Sequence, residues 1–330
     1  MENHLLEYIE IKDFKCFKNF KAEGFKRVNL IGGKNNVGKT AFMEACYVNV
    51  HSKNVESTVT AITGLTYRRN NLEFMTKEYT TTDDKAFLEN IGKLELISNY
   101  NDIKFEIFNN AGIKGYIFNI NSEITSLNIN EFSFEEDFIS TIEFIDNFGL
   151  TNSELKDVFI SVQQKDQEEN LYKYINDFDD NILNFKILGG EKPSCKVIDR
   201  DEYQDISEFG DGLKHYISII CSLYACENGY LFIDEIDNGI HYTQLDRLWE
   251  IILTISKEQN VQVFATTHSK ECIESYARVS KKLEEKKEIE KDGITFIELG
   301  KDKENKLDSI VMDSERLQRH LSQGNEVRGW

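Results

Sequence analysis

The octet Gly33-Lys34-Asn35-Asn36-Val37-Gly38-Lys39-Thr40 has the spacing Gly-x4-Gly-Lys-Thr. Glycines at these places let backbone N–H groups face a phosphate with no Cβ in the way. A helix starting beside Gly38 adds the favourable end of its dipole. Lys39 is then placed to reach β- and γ-phosphate oxygens, Asn35 and Asn36 belong to the same cradle, and the Thr40 hydroxyl is a ligand for Mg2+. A second pair, Asp234-Glu235, ends the apolar run Leu231-Phe232-Ile233. Asp234 suits Mg2+ held through water, and Glu235 suits the polarisation of an attacking water. His268 follows Ala265-Thr266-Thr267 and is a candidate to sense or hold a γ-phosphate. Gly210-Asp211-Gly212 opens a further helix and offers another anion site. The implied chemistry is hydrolysis of ATP with Mg2+.

These groups meet only if strands bring them to one edge of a sheet. Val28 to Ile31 reads as a short buried strand running into Gly32-Gly33, with a helix from about Gly38 to His51. Tyr230 to Asp234 and Val261 to Thr266 read as two more buried strands, so Asp234, Glu235 and His268 should emerge at a shared carboxyl edge. Helices are expected over Phe209 to Glu227, ended by Asn228-Gly229, over Thr243 to Lys257, and from Ser269. Leu6 to Ile11 reads as a strand. Phe14, Phe17, Phe20 and Phe25 alternate with lysines as in a β-hairpin with one apolar face. Lys93 to Ser98, Ile103 to Asn109 and Gly115 to Ile120 suggest an antiparallel meander, with Asn109-Asn110-Ala111-Gly112 as a turn. Residues 57–130 otherwise mix Thr, Asn and strand patterns, and residues 133–185 read as mainly helical and acidic. Cys195 to Ile198 and Ile294 to Leu299 are further strands, and Ser314 to Ser322 a last short helix. The class is α/β, with one domain over residues 1–330 carrying an insertion at about 57–190.

The chain has 330 residues, 40% of them hydrophobic and 29% charged, with a net charge of −19. That charge repels nucleic acid from the body as a whole, so DNA binding needs a local basic patch. Glu10 to Thr40 is the candidate, with eight basic and three acidic residues; Glu131 to Phe185 has the opposite bias, with three basic and fourteen acidic. The six cysteines form no Cys-x-x-Cys pair, which speaks for a reducing cytoplasm over a metal cluster or disulfide framework. No secretory leader opens the chain, and no run approaches the ~18 apolar residues of a membrane span.

The order of these motifs resembles ABC-type ATPases of the RecF, SMC and OLD branch. Glu10-Ile11-Lys12-Asp13-Phe14-Lys15-Cys16-Phe17 is similar to that branch's opening strand, and the Asn35-Asn36 pair to its phosphate loop. The resemblance is good over residues 6–52 and 200–276. It implies an ABC-ATPase head: a mixed central sheet, an antiparallel β lobe and a helical insertion. It also implies two heads joined head-to-tail with ATP between them. One copy supplies Lys39, Thr40, Asp234, Glu235 and His268; the other supplies Phe209-Gly210-Asp211-Gly212-Leu213. Gly210 stands where the family has serine and Leu213 where it has glutamine, so a hydroxyl contact is lost unless Ser207 replaces it. Asp237-Asn238-Gly239-Ile240-His241 stands at the family's D-loop, which lies between the two heads. Gln163 and Gln164 are the candidates for its Q-loop glutamine.

The segment Leu317 to Arg328 is similar to the ending of small stand-alone ATPases of bacterial anti-phage systems, of which the PARIS system is one. That implies a sensor or scaffold that oligomerises, with a nuclease or toxin effector on another polypeptide, since no toprim-like acidic set follows residue 276. The alternative is a RecF-like DNA-repair ATPase that binds DNA through the Lys12–Lys26 hairpin.

Overall fold

The computed structural model describes residues 4–70, 88–89, 91–110, 113–128, 139–290 and 293–324. In chain order the first elements are β1 (Tyr8–Phe14), β2 (Phe17–Glu23), β3 (Val28–Gly33), α1 (Lys39–His51) and α2 (Val55–Asn70). Next come β4 (Lys93–Ser98), β5 (Asp102–Asn110), β6 (Ile113–Ile120), β7 (Glu123–Asn128) and β8 (Ile142–Ile145). Then follow α3 (Asn152–Gln164), α4 (Glu168–Phe178), β9 (Ile182–Leu188), β10 (Lys192–Val197) and β11 (Tyr203–Asp205). The last are α5 (Asp211–Ala225), β12 (Tyr230–Ile233), α6 (Leu245–Glu258), β13 (Gln262–Thr266), α7 (Lys270–Glu285), β14 (Ile294–Lys301), β15 (Leu307–Met312) and α8 (Ser314–Ser322). Ala111 and Gly112 of the expected turn, residues 133–138 of the acidic segment, and residues 325–328 of the C-terminal motif lie outside the described residues.

The chain forms two compact units. The first comprises Met1–Phe25, Lys34–Ile139 and Leu299–Val311, the second Lys26–Gly33, Ser140–Glu298 and Met312–Trp330. In the first unit, the sheet order is β2-β1-β4-β5-β6-β7, antiparallel throughout. The expected hairpin is β1–β2, with Phe14 opposite Phe17. Its apolar face closes over α1: the rings of Phe17, Phe20 and Phe25 lie 6.2, 5.7 and 6.0 Å from Phe42. The interleaved lysines are ion-paired at Lys12–Glu95 (3.3 Å), Lys15–Glu44 (2.6 Å) and Lys21–Glu23 (2.9 Å), and Lys18 pairs with Asp13. The basic count of this stretch is therefore largely neutralised where it stands. Residues 55–70, read as mixed, are helical. Thr58 and Thr63 donate their hydroxyls to the carbonyls of Asn54 (2.6 Å) and Val59 (2.9 Å), one turn back, so a threonine-rich run satisfies its polar groups within a helix.

The second unit carries the sheet order β14-β3-β13-β12-β8. β3, β13, β12 and β8 run parallel, pairing Ile31 with Thr266 and Ile233 with both Ala265 and Ile145. Their residues are mostly apolar, as strands covered on both faces require. Phe144, Phe232 and Phe264 form a ladder across β8, β12 and β13, with ring centroids 6.4 and 5.4 Å apart. Among the flanking helices, Trp249 of α6 packs 4.7 Å from Tyr276 of α7. The Tyr276 hydroxyl donates to the Val28 carbonyl at 2.9 Å and lies 3.1 Å from the Thr295 carbonyl, tying α7 to β3 and β14. β8 lies inside the segment read as helical. With four residues and acids on both sides, it has too little periodicity to show as a strand. The segment also ends in a strand, β9, from Ile182, and is helical as read in α3 and α4 between. α3 starts with a Thr151–Glu154 capping box, and Phe159 meets Phe185 of β9 at 5.1 Å. Among the described residues, no helix is long and apolar enough to cross a membrane.

Candidate active site

The parallel register of β3, β13 and β12 puts Gly33, Thr266 and Ile233 at a common carboxyl edge, which is where open α/β sheets hold ligands. The phosphate loop leaves β3 at Gly33. Gly33, Asn36 and Gly38 have φ of +144°, +61° and +103°, the kind of backbone with which a loop can present N–H groups to an anion. Residues 34–36 are exposed while Val37 is buried and anchors the loop. Gly38 is glycine for two reasons. Its φ is left-handed, and a Cβ there would lie 2.9 Å from Cys16 Sγ. Lys39 starts α1, and its ammonium donates to the Lys34 carbonyl at 3.2 Å, across its own loop. Thr40 follows, half-buried in the first turn.

At the end of β12, Asp234 accepts the Thr266 hydroxyl at 2.5 Å. The same hydroxyl oxygen accepts from the Glu235 N–H at 2.8 Å, and the Thr266 carbonyl accepts from the Ile236 N–H at 3.0 Å. Glu235 has φ +50°, a left-handed backbone that costs about 1–2 kcal/mol for a residue with a Cβ. Thr266 thus fixes both acids and offsets that strain. His268 Nδ1 lies 3.8 Å from Glu235 Oε1, both side chains being about half exposed. Thr267 donates to Asp237 Oδ1 at 2.6 Å and accepts from the Ser269 N–H at 3.0 Å, and Ser269 caps α7.

The two glycines at the start of α5 differ. Gly210 caps the helix with φ +82°, is exposed, and a Cβ on it would meet nothing within 4 Å. Gly212 is buried, and a Cβ would lie 2.0 Å from the Gly239 carbonyl oxygen. Gly212 is therefore required by a backbone-to-backbone contact within one chain. Gly212→Ala should lower stability by about 1–3 kcal/mol through overpacking, readable as a drop in thermal midpoint that Gly210→Ala does not reproduce to the same extent. Ser207 donates to Asp205 at 2.7 Å and Asp205 also accepts the Ser207 N–H, bonds that hold the Asp205 carboxyl below its usual range. The hydroxyl considered as a substitute for the missing serine is engaged there. Gln163 donates to Glu168 at 3.2 Å from the end of α3, and Gln164 beside it is exposed.

Residues 197–274 match the family model described as "AAA domain, putative AbiEii toxin, Type IV TA system". That span holds the α5 glycines, Asp234, Glu235 and His268. The chain is 28% identical over 322 residues to an ATP/GTP phosphatase of Helicobacter pylori, covering 82% of this chain and 87% of that one. It is 37% identical over 65 residues to an uncharacterized protein of Methanocaldococcus jannaschii, MJECL11, 20% of this chain and 57% of that one. In structure it is similar to an SMC head solved with the C-winged helix domain of ScpA, with TM-score 0.52 at 12% identity over 94% of this chain and 98% of that one. The chain therefore has the fold of an SMC head.

Sequence reasoning missed three features around the candidate site. Thr266 stood at the end of its strand with no role, though a threonine there beside two acids is a natural hydrogen-bond partner for them. Gly239 as the seat of Gly212 left no sequence signal. His215, one turn into α5, is 1% exposed, and burial pushes its pKa from near 6.5 down to about 4. The folded chain therefore binds this proton less readily than the unfolded one. His215 contributes nothing above pH 6.5, and its penalty grows as pH falls from 6.5 to about 4, reaching roughly 3 kcal/mol. Denaturant unfolding at pH 7 and pH 4.5 should show a larger acid loss in wild type than in His215→Leu; equal losses would contradict the assignment.

Proposed function

We propose that the ATPase binds one Mg2+–ATP per chain and that a second copy completes the site, so that ATP controls assembly. Asn35, Asn36, Gly38, Lys39 and Thr40 hold the phosphates, Thr40 and Asp234 the metal, Glu235 is the general base, and His268 sits beside the γ-phosphate. Hydroxyl and carboxylate oxygens are the donors that a small hard cation prefers, and the hold of Thr266 on Asp234 is the outer-shell support such a ligand needs. Mg2+, when bound, neutralises charge on the β- and γ-phosphate oxygens. Glu235 takes a proton from water as its oxygen bonds to the γ-phosphorus. The bond to the β–γ bridging oxygen breaks, and ADP leaves with that electron pair.

The observation that carries the composite site is Gly210. It is exposed at a helix N-terminus, its φ of +82° calls for glycine, and nothing in its own chain fills the space beside it, so the helix start is open to an approaching phosphate. Complementation tests it. Lys39→Ala and Gly210→Asp should each be inactive alone. Mixed one to one, they should recover roughly a quarter of wild-type turnover, because half of random dimers are mixed and each has one intact site of two. A mixture as inactive as its components would sink the composite site.

We place the ATPase in the cytoplasm as a sensor or scaffold of an anti-phage system, acting with a separate nuclease or toxin effector. The description of the matched family as an AbiEii-type toxin supports that setting. Co-purification with the product of the adjacent gene tests it, and a chain that ignores that product in the presence and absence of ATP contradicts it. DNA repair is the weaker reading, because the hairpin lysines it needs are spent on ion pairs with Glu95, Glu44, Asp13 and Glu23.

A further inference from the structure

His215 is buried with no hydrogen-bond partner on either ring nitrogen. An unpaired polar group in an interior costs stability, and folded proteins keep few of them. Packing alone would be better served by an apolar side chain of similar size, so the imidazole calls for another reason.

Its surroundings supply one. The backbone of Ile236 faces the ring. The Ile236 N–H already donates to the Thr266 carbonyl at 3.0 Å, which leaves the Ile236 carbonyl as the group a ring N–H can reach. Ile236 directly follows Glu235, whose left-handed backbone is held from the β13 side by Thr266. His215 stands on the other side, on α5. That helix is seated on both flanks by close backbone approaches. Gly212 lies against Gly239, and a Cβ on Gly149 would lie 3.3 Å from His215 Cα. The Leu150 N–H also donates to Ser218 on the next turn, at 3.3 Å. The first two turns of α5 therefore cannot shift without pressing on the segment that carries Glu235.

We propose that His215 is a positioning residue for hydrolysis. It donates a ring N–H to the Ile236 carbonyl when the start of α5 is engaged, and so couples the Gly210 end of the helix to the orientation of Glu235. The Ile236 backbone already acts on the ring in this structure, without an ordinary hydrogen bond to either ring nitrogen, and engagement of α5 tightens that contact. This rests on Glu235 being the base of the reaction.

The test sets stability against turnover. His215→Leu removes an unpaired buried polar group, so at pH 7.5 its melting temperature should equal or exceed that of wild type. Its ATP affinity should stay within about twofold, since the ring touches no nucleotide-binding group, while kcat should fall roughly 3- to 30-fold, the range of a coupling contact. His215→Gln, which keeps a donor, should retain more activity than His215→Leu. A His215→Leu protein with wild-type kcat overturns the proposal. So does one whose loss of kcat comes with a matching loss of thermal stability, because that is a packing defect. Glu235→Gln run alongside separates the two readings. If it hydrolyses ATP as wild type does, the base assignment falls and His215 with it. If it is inactive while His215→Leu is fast, only the His215 proposal falls.

Discussion

Glu235→Gln should leave ATP bound and lower turnover by about 10²- to 10⁴-fold, the usual contribution of a positioned general base. The substitution keeps the size of the side chain and its neutral hydrogen-bonding capacity but removes the group that accepts a proton from water. It should not disturb the fold. The left-handed backbone at 235 is held by main-chain N–H groups donating to Thr266, and those bonds do not depend on the side chain. The neighbouring Asp234 keeps its own partner, the Thr266 hydroxyl. Phosphate release at saturating ATP reads the loss, and a fluorescent ATP analogue reads the retained affinity. Turnover within a fewfold of wild type would mean that another group activates the water.

Lys39→Ala should weaken ATP binding roughly 30- to 5,000-fold, the equivalent of about 2–5 kcal/mol for removing one partner of a desolvated charge pair. The ammonium bends over its own loop to the Lys34 carbonyl, where it would meet phosphates bound by that loop. Its removal leaves that phosphate charge without its closest cation. Folding should be little affected, since Lys39 is half-exposed and its ammonium bonds a loop carbonyl. Titration calorimetry with Mg2+ and ATP measures the loss, and wild-type affinity would place the nucleotide elsewhere.

Much of the fold and of the candidate site was legible because their signals are local. Buried parallel strands read as apolar runs, and three of them lead into the proposed site residues. The phosphate loop is a backbone conformation, and glycines advertise it. What escaped depends on partners distant in sequence. Thr266 serves Asp234 from 32 residues away, and Gly212 is fixed by Gly239 on another segment. The hairpin lysines looked like a basic patch because Glu44 and Glu95 lie far along the chain. β8 is too short for a period, and α2 carries threonines whose hydroxyls are satisfied only once a helix exists.

The most direct test of an ATPase completed by its own second copy is the solution mass of Glu235→Gln with and without Mg2+–ATP, by light scattering on an eluting column. Without nucleotide the particle should be one chain of 38.3 kDa. With ATP it should double, and adding Lys39→Ala to the same protein should abolish the doubling. A Glu235→Gln protein that demonstrably binds ATP and keeps the same mass would contradict a site shared between two copies.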